Sequence, residues 1–345
     1  MRGYEGSNGP LTPGAEERLT YADTNEDGVS FAASNPTWAA DGRGILYSFS
    51  PRPYSPGEKK LGVSCVANHP CHPVAMDFDD TCLALLPPTG GSAYWNVCES
   101  RTSHSSATDL VPWADLSPSG ALLYIEQSRP APPPPLTPFP PAKTGTYADL
   151  WLATPERPLD RRELCRLYAL DTLTRLAPAT ACPFTVMSDL RWLGTSTFAV
   201  LAGGTLQVGA ITSQGVTFTP VPNSPSIGHY ALVDGNRAVV FVTASPSVRR
   251  LALADGTVTV VATLPLGPGG QVLDIGCHPD VCIVLASTGG ASGTWNLWKV
   301  DLATGSAAIV RTFTHAISAA KLSPVSGDVL AQEGANLYLL TGVVP

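Results

Sequence analysis

Eight cysteines carry the densest chemistry in this 345-residue chain: Cys65, Cys71, Cys82, Cys98, Cys165, Cys182, Cys277 and Cys282. An even count allows a disulfide framework, and such a framework persists in an oxidising compartment. The spacing predicts local pairs. TCLALLPPTGGSAYWNVC reads as a hairpin turning at residues 87–91, which places Cys82 opposite Cys98. CRLYALDTLTRLAPATAC reads as a second hairpin, turning near Leu173, which places Cys165 opposite Cys182. Cys277 and Cys282 flank the short turn His278-Pro279-Asp280-Val281, and Cys65 and Cys71 flank a Pro-containing loop. Opposed strand residues hold their Cβ atoms about 4.5–5.5 Å apart, near bridging range. Zinc is the competing chemistry, with Cys65, His69, Cys71 and His72 as one set and Cys277, His278 and Cys282 as a partial one. Neither has the common C-x₂-C spacing, and tetrahedral sites use two separated pairs. Disulfides are therefore expected, in a protein exported to the periplasm, cell surface or outside.

A second candidate is Asp23-Thr24-Asn25-Glu26-Asp27-Gly28, the first half of a calcium loop. Asp23, Asn25 and Asp27 would supply side-chain oxygens and Val29 a carbonyl. Position 12 of such a loop should be a bidentate Glu, and here it is Ser34. An acidic loop belonging to a structural repeat is the competing explanation. No G-x-S-x-G elbow, Walker motif or dinucleotide glycine motif occurs, so an α/β-hydrolase nucleophile is unsupported and no cofactor is expected, calcium at 23–29 being the candidate exception.

The elements that must position these residues repeat along the chain. Residues 35–48, NPTWAADGRGILYS, form an apolar strand, an Asp-Gly turn and a second strand. Residues 111–124 and 317–330 repeat the plan, and weaker copies start near 188, 228 and 270. Two further strand-like runs follow each copy, as in residues 296–310 with their Thr-Gly turn. Asp-Gly between alternating strands is a strong hairpin signal. Four short antiparallel strands per repeat make the blade of a β-propeller. Six copies predict an all-β, six-bladed propeller over residues 17–345, after a flexible segment 1–16. The sixth copy lacks an outer strand. Residues 17–22 are predicted to supply it against 337–341, closing the ring and covering an open edge.

Composition agrees and excludes alternatives. Gly 32 and Pro 33 rule out a helical bundle or coiled coil. Lys+Arg 21 against Asp+Glu 28, a net charge of −7, argues against non-specific nucleic-acid binding. No run of about 18 apolar residues spans a bilayer, and the first 20 residues carry no signal-peptide core. Hydrophobic residues at 44% suffice for a sizeable core.

Within this architecture His229 opens an inner strand and could face the central channel, while Asp115 and Asp274 take similar positions. Trp38, Trp113, Trp192 and Tyr230 fall near one inner-strand position, where they either pack between blades or line a channel mouth. Two insertions, 51–79 and the polyproline-type 129–146, each follow the second strand of a blade. They should stand side by side on one face, pre-organised by Cys65–Cys71 and by prolines. Tyr54, His69, His72, Leu136 and Phe139 are the candidate anchors for a protein partner.

Pro36, Trp38, Asp41, Gly42, Arg43, Ile45 and Tyr47, with Leu116-Ser117-Pro118-Ser119-Gly120 and a looser copy at Leu322-Ser323-Pro324, resemble the repeat of TolB-like six-bladed propellers. The acidic run at 23–27 is similar to the segment that often precedes such a repeat. The resemblance implies an envelope or exported protein that binds other proteins. Similar propellers precede a hydrolase domain in certain peptidases; here the chain ends with the propeller. The expected function is a non-enzymatic, exported binding or scaffold protein, with self-association as one form of partner. The alternatives are a lactonase-like, metal-dependent hydrolase with a channel site, whose ligand set the sequence does not assemble, and a structural subunit of an extracellular assembly.

Overall fold

Three strands, Thr197–Ala202, Ala238–Val242 and Val281–Ser287, are almost continuous runs of buried apolar residues. Successive strand residues point to opposite faces, so such a run means that both faces of its sheet are covered. Each is the second strand of a four-stranded antiparallel sheet, and the sheets are the blades of a six-bladed all-β propeller. The computed structural model describes residues 15–20, 30–52, 61–64, 72–75, 82–88, 95–98, 108–129, 147–154, 157–166, 180–184, 186–289, 293–334 and 336–344. No helix occurs among the described residues.

The blades follow chain order. Their inner strands are Ser30–Trp38, Thr108–Leu116, Met187–Trp192, His229–Val233, Gln271–His278 and Ile317–Leu322, in blades 1 to 6. The apolar core divides into six clusters, one in each seam between neighbouring blades, including the seam between blades 6 and 1. One strand serves two seams: Ile283 and Leu285 pack toward blade 6, while Cys282, Val284 and Ala286 pack toward blade 4. Gly276 marks a close approach in this ring, because a Cβ there would lie 2.4 Å from the backbone nitrogen of Leu322 in blade 6.

Five inner strands carry a register shift, after Ser34, Leu110, Ser188, Val272 and Ile317. A bulge re-aims the side chains beyond it. In blades 1 and 3 the residue three before the strand end, Asn35 and Asp189, has a left-handed φ of 49° and 48°. Asn and Asp tolerate that conformation better than other side-chain residues. The turn Asp234-Gly235-Asn236 has positive φ throughout, as a tight hairpin connection requires.

The ring closes through the amino terminus, with a shifted register. The strand is Glu16–Arg18, paired antiparallel with Tyr338, Leu339 and Leu340, instead of residues 17–22. Leu19 ends the pairing with its amide on the Leu337 carbonyl (2.8 Å), and its side chain is buried between blades 6 and 1. The reading of residues 165–182 as an antiparallel hairpin is also corrected. Thr180–Ala181 runs parallel to Arg157–Arg166 as a short fifth strand of blade 2, with Thr180 beside Cys165. The Cys165–Cys182 disulfide forms nonetheless, because parallel neighbours bring the sulfurs within reach as well.

The two insertions leave from Ile45–Arg52 and Leu122–Arg129, the second strands of adjacent blades. The first contains a two-stranded pairing of Leu61–Ser64 with His72–Ala75.

Candidate functional site

The bulged inner strands of blades 2, 3, 5 and 6 and the regular one of blade 4 bring ionisable side chains together. Asp115 (blade 2), Asp189 and Arg191 (blade 3), His229 (blade 4), Asp274 (blade 5) and Lys321 (blade 6) form one linked group around the channel. The three aspartates and Lys321 are buried. A buried carboxylate needs donors, and each aspartate takes one from the next blade. Asp115 Oδ2 accepts the Trp192 amide (2.7 Å), Asp189 Oδ2 the Tyr230 amide (3.4 Å) and Asp274 Oδ2 the Ala320 amide (2.9 Å). Asp115 Oδ1 and Asp274 Oδ1 also accept the amides of Leu116 and Ile275, both at 2.9 Å.

The cations sit against these carboxylates. Arg191 Nη2 lies 3.0 Å from Asp189 Oδ1, and Arg191 Nη1 donates to the Leu190 carbonyl at 2.7 Å. Lys321 Nζ donates to Asp274 Oδ1 at 2.5 Å and to the Ile275 carbonyl at 3.2 Å. His229 Nδ1 stands between two carboxylates, 3.5 Å from Asp189 Oδ2 and 3.7 Å from Asp274 Oδ1. The environments separate the titrations. Burial pushes Asp115 up to about 6, with Arg191 pulling the other way. Burial also raises Asp189, but Arg191, Lys321 and His229 outweigh it and hold the carboxyl well below the usual range. Burial lowers His229, yet Asp189 and Asp274 overcome it and the imidazole is raised.

Above this group lies a cavity of 740 Å³, within the size range of ligand pockets. Trp38, Trp192 and Tyr230 line it with Asp115, Arg191 and Lys321, and Pro118, Pro279 and Pro324 stand around it. Its other lining residues come from the inner strands and from the turns that join inner to second strands, such as Gly194, Thr195, Gly235, Asn236 and Asp280, so it lies at that end of the ring. Antiparallel succession puts the second-to-third connections, where both insertions leave, at the opposite end. The turns of blades 1 and 2 are tied together by Arg43, which pairs with Asp41 (3.3 Å) and donates to the Ser117 carbonyl (3.2 Å).

Of the aromatic set, Trp38 and Trp192 reach back to the preceding blade, their indole nitrogens donating to the carbonyls of Lys321 (3.0 Å) and Asp115 (3.2 Å). Trp113 departs from the expected common position. It stands three residues before its strand end, where blade 3 has Asp189, and packs against the cluster between blades 2 and 3. Cys277 and Cys282 are paired directly across their hairpin and bonded. Cys82 and Cys98 are opposite in register. His72 begins the strand His72–Ala75. Tyr54, His69, Leu136, Phe139, Cys65, Cys71 and the calcium candidates Asp23, Asn25, Asp27 and Val29 lie outside the described residues.

The ring brings together His229, Asp115 and Asp274, which the sequence singled out, with Asp189, Arg191 and Lys321, which it did not. A signal for two of these was present. Arg191 precedes Trp192 and Lys321 precedes Leu322 just as Asp115 precedes Leu116, each a charge one residue before the end of an apolar inner strand. Among the described residues no group of three His, Cys, Asp or Glu is placed to hold a metal ion.

No protein-family model matches the chain, and no curated protein matches it. Solved structures similar to it include the WD40 repeats of RRP9, at 11% identity over 94% of this chain and 97% of that one, with a TM-score of 0.49. U3-55K shares 12% identity over 96% and 100% of the two chains, TM-score 0.48. The β-propeller domain of Cps50 (Swd1) from Myceliophteria thermophila shares 9% over 91% and 99%, TM-score 0.46. Likeness at this level transfers no activity or partner to this chain.

Proposed function

We propose that this chain is an exported, non-enzymatic propeller of the TolB-like kind that binds a protein partner as a scaffold. The observation that carries this reading is the use made of the channel carboxylates. Asp115, Asp189 and Asp274 are each engaged with backbone amides of the next blade, and Asp189 and Asp274 also with Arg191 and Lys321. Groups so engaged hold blades together and have no free geometry for general acid–base work. The Cys165–Cys182 and Cys277–Cys282 bonds support an oxidising compartment. The TolB-like reading rests on the repeat motif around Trp38, Asp41 and Arg43 and its copy at 116–120.

Partner contacts are assigned to the insertions 51–79 and 129–146, with Tyr54, His69, His72, Leu136 and Phe139 as anchors. Support comes from their roots: Arg52 and Arg129 end equivalent strands of adjacent blades. The test replaces both insertions by short Gly-Ser linkers and compares capture from the native envelope fraction. The shortened protein should keep the circular dichroism of the parent and lose the captured partner. Full capture by a folded, shortened protein sinks the assignment. Size-exclusion of the same two proteins reads out self-association, and calorimetry reads out calcium at residues 23–29.

A further inference from the structure

We propose that His229 is a proton-operated latch that joins the inner strands of blades 3 and 5 and tightens the floor of the cavity. This goes beyond the scaffold reading and does not depend on the partner. His229 opens the inner strand of blade 4, and both neighbouring blades offer it a buried carboxylate, Asp189 Oδ2 at 3.5 Å and Asp274 Oδ1 at 3.7 Å. Its ring remains 36% exposed, so it exchanges protons with channel water while its partners, at 1% and 2%, do not see solvent.

The charges facing His229 are Asp189 and Arg191 from blade 3, Asp274 from blade 5 and Lys321 from blade 6, with Asp115 of blade 2 beyond them. Above the Asp115 value of about 6, three carboxylates stand against two fixed cations. A neutral imidazole leaves one negative charge in excess among buried groups, and an imidazolium brings the count level. Uncompensated charge is expensive away from bulk water. Burial of the ring and Lys321 oppose protonation, Asp189 and Asp274 favour it, and the carboxylates prevail.

The element that responds is the Asp189 backbone. Its φ of 48° is left-handed, a conformation that persists only where surroundings hold it. Its carboxylate is held by Arg191, by the 3.4 Å amide bond from Tyr230 and by His229. Tyr230 lines the cavity, and its hydroxyl is buried without a hydrogen-bond partner. Loss of the second imidazole proton, at Nε2, leaves Nδ1–H facing the carboxylates but removes the positive charge, and so weakens one of three restraints beside a residue that lines the cavity.

A histidine raised in the folded state stabilises fully below its unfolded value of about 6.5, and that stability disappears as pH rises through the folded value. The expected result is that His229→Gln melts below the parent at pH 6 and that the gap closes by pH 9. Hydrogen exchange of the Tyr230 segment, corrected for intrinsic rate, should accelerate over the same interval in the parent and not in the variant. Carbon-13 histidine resonances give the titration directly, with His229 assigned as the signal missing from H229Q. If H229Q does not fold, removing His69, His72, His104, His278 and His315 in turn assigns it by subtraction. A His229 midpoint at or below 6.5, or identical pH profiles of parent and variant, overturns the latch.

Discussion

Asp115 and Trp192 clasp each other in both directions across the seam between blades 2 and 3. The Trp192 amide donates to Asp115 Oδ2 at 2.7 Å, and the Trp192 indole nitrogen donates to the Asp115 carbonyl at 3.2 Å. One residue ends an apolar inner strand, the other stands one place before the end of its own, and 77 positions separate them in the chain.

Asp115→Ala leaves the buried amides of Trp192 and Leu116 without acceptors, which should cost about 2–4 kcal/mol. Asp115→Asn keeps an acceptor and should recover at least half of that. Urea unfolding checks both, with the midpoint shifting at constant slope. Because burial raises the carboxyl to about 6, its ionisation opposes folding. The parent should therefore lose stability from this group between about pH 4 and 6, and D115N should not.

The buried pair Lys321–Asp274 predicts non-additivity. Lys321→Met strands a carboxylate that is 2% exposed and should destabilise by about 3–5 kcal/mol. Adding Asp274→Asn removes the stranded charge and keeps an oxygen for the Ala320 amide. The double variant should be more stable than K321M alone. Equal or lower stability of the double variant refutes the pairing as the source of the loss.

Ring closure predicts a step between two truncations. Removing residues 1–14 leaves the Glu16–Arg18 strand and Leu19 in place. Removing residues 1–24 takes both away, exposes the edge at Asn336–Leu340 and empties the Leu19 site between blades 6 and 1. The second truncation should lose at least about 3 kcal/mol relative to the first, judged by the loss of the Leu side chain alone. Equal melting temperatures refute closure by this strand.

The propeller was legible in the chain because its evidence is local. Alternation along strands and the Asp41-Gly42 and Asp234-Gly235 turns each depend on residues within about ten positions of one another, and that local pattern returns six times along the chain. Cys277–Cys282 was readable for the same reason, being five residues apart across one turn. The amino-terminal strand was legible as a need, since an outer strand was missing, but its register was not. A three-residue edge pairing leaves register to tertiary contacts. Only the fold decided that Thr180–Ala181 runs parallel to its neighbour.

The charged ring was decided by tertiary structure. Bulges after Ser188 and Val272 change which residues face the axis, so a period-two reading of Met187–Trp192 or Gln271–His278 cannot assign Asp189 and Asp274 to one site. Sequence determined that the inner strands of blades 2 to 6 would each carry an ionisable residue in an apolar run. Ring closure determined that the three carboxylates would each accept a backbone amide 41 to 77 positions away, from the next blade. The physical reason is that burial forces every such charge to find a partner, and only the curvature of six packed blades brings partners from different repeats to one axis.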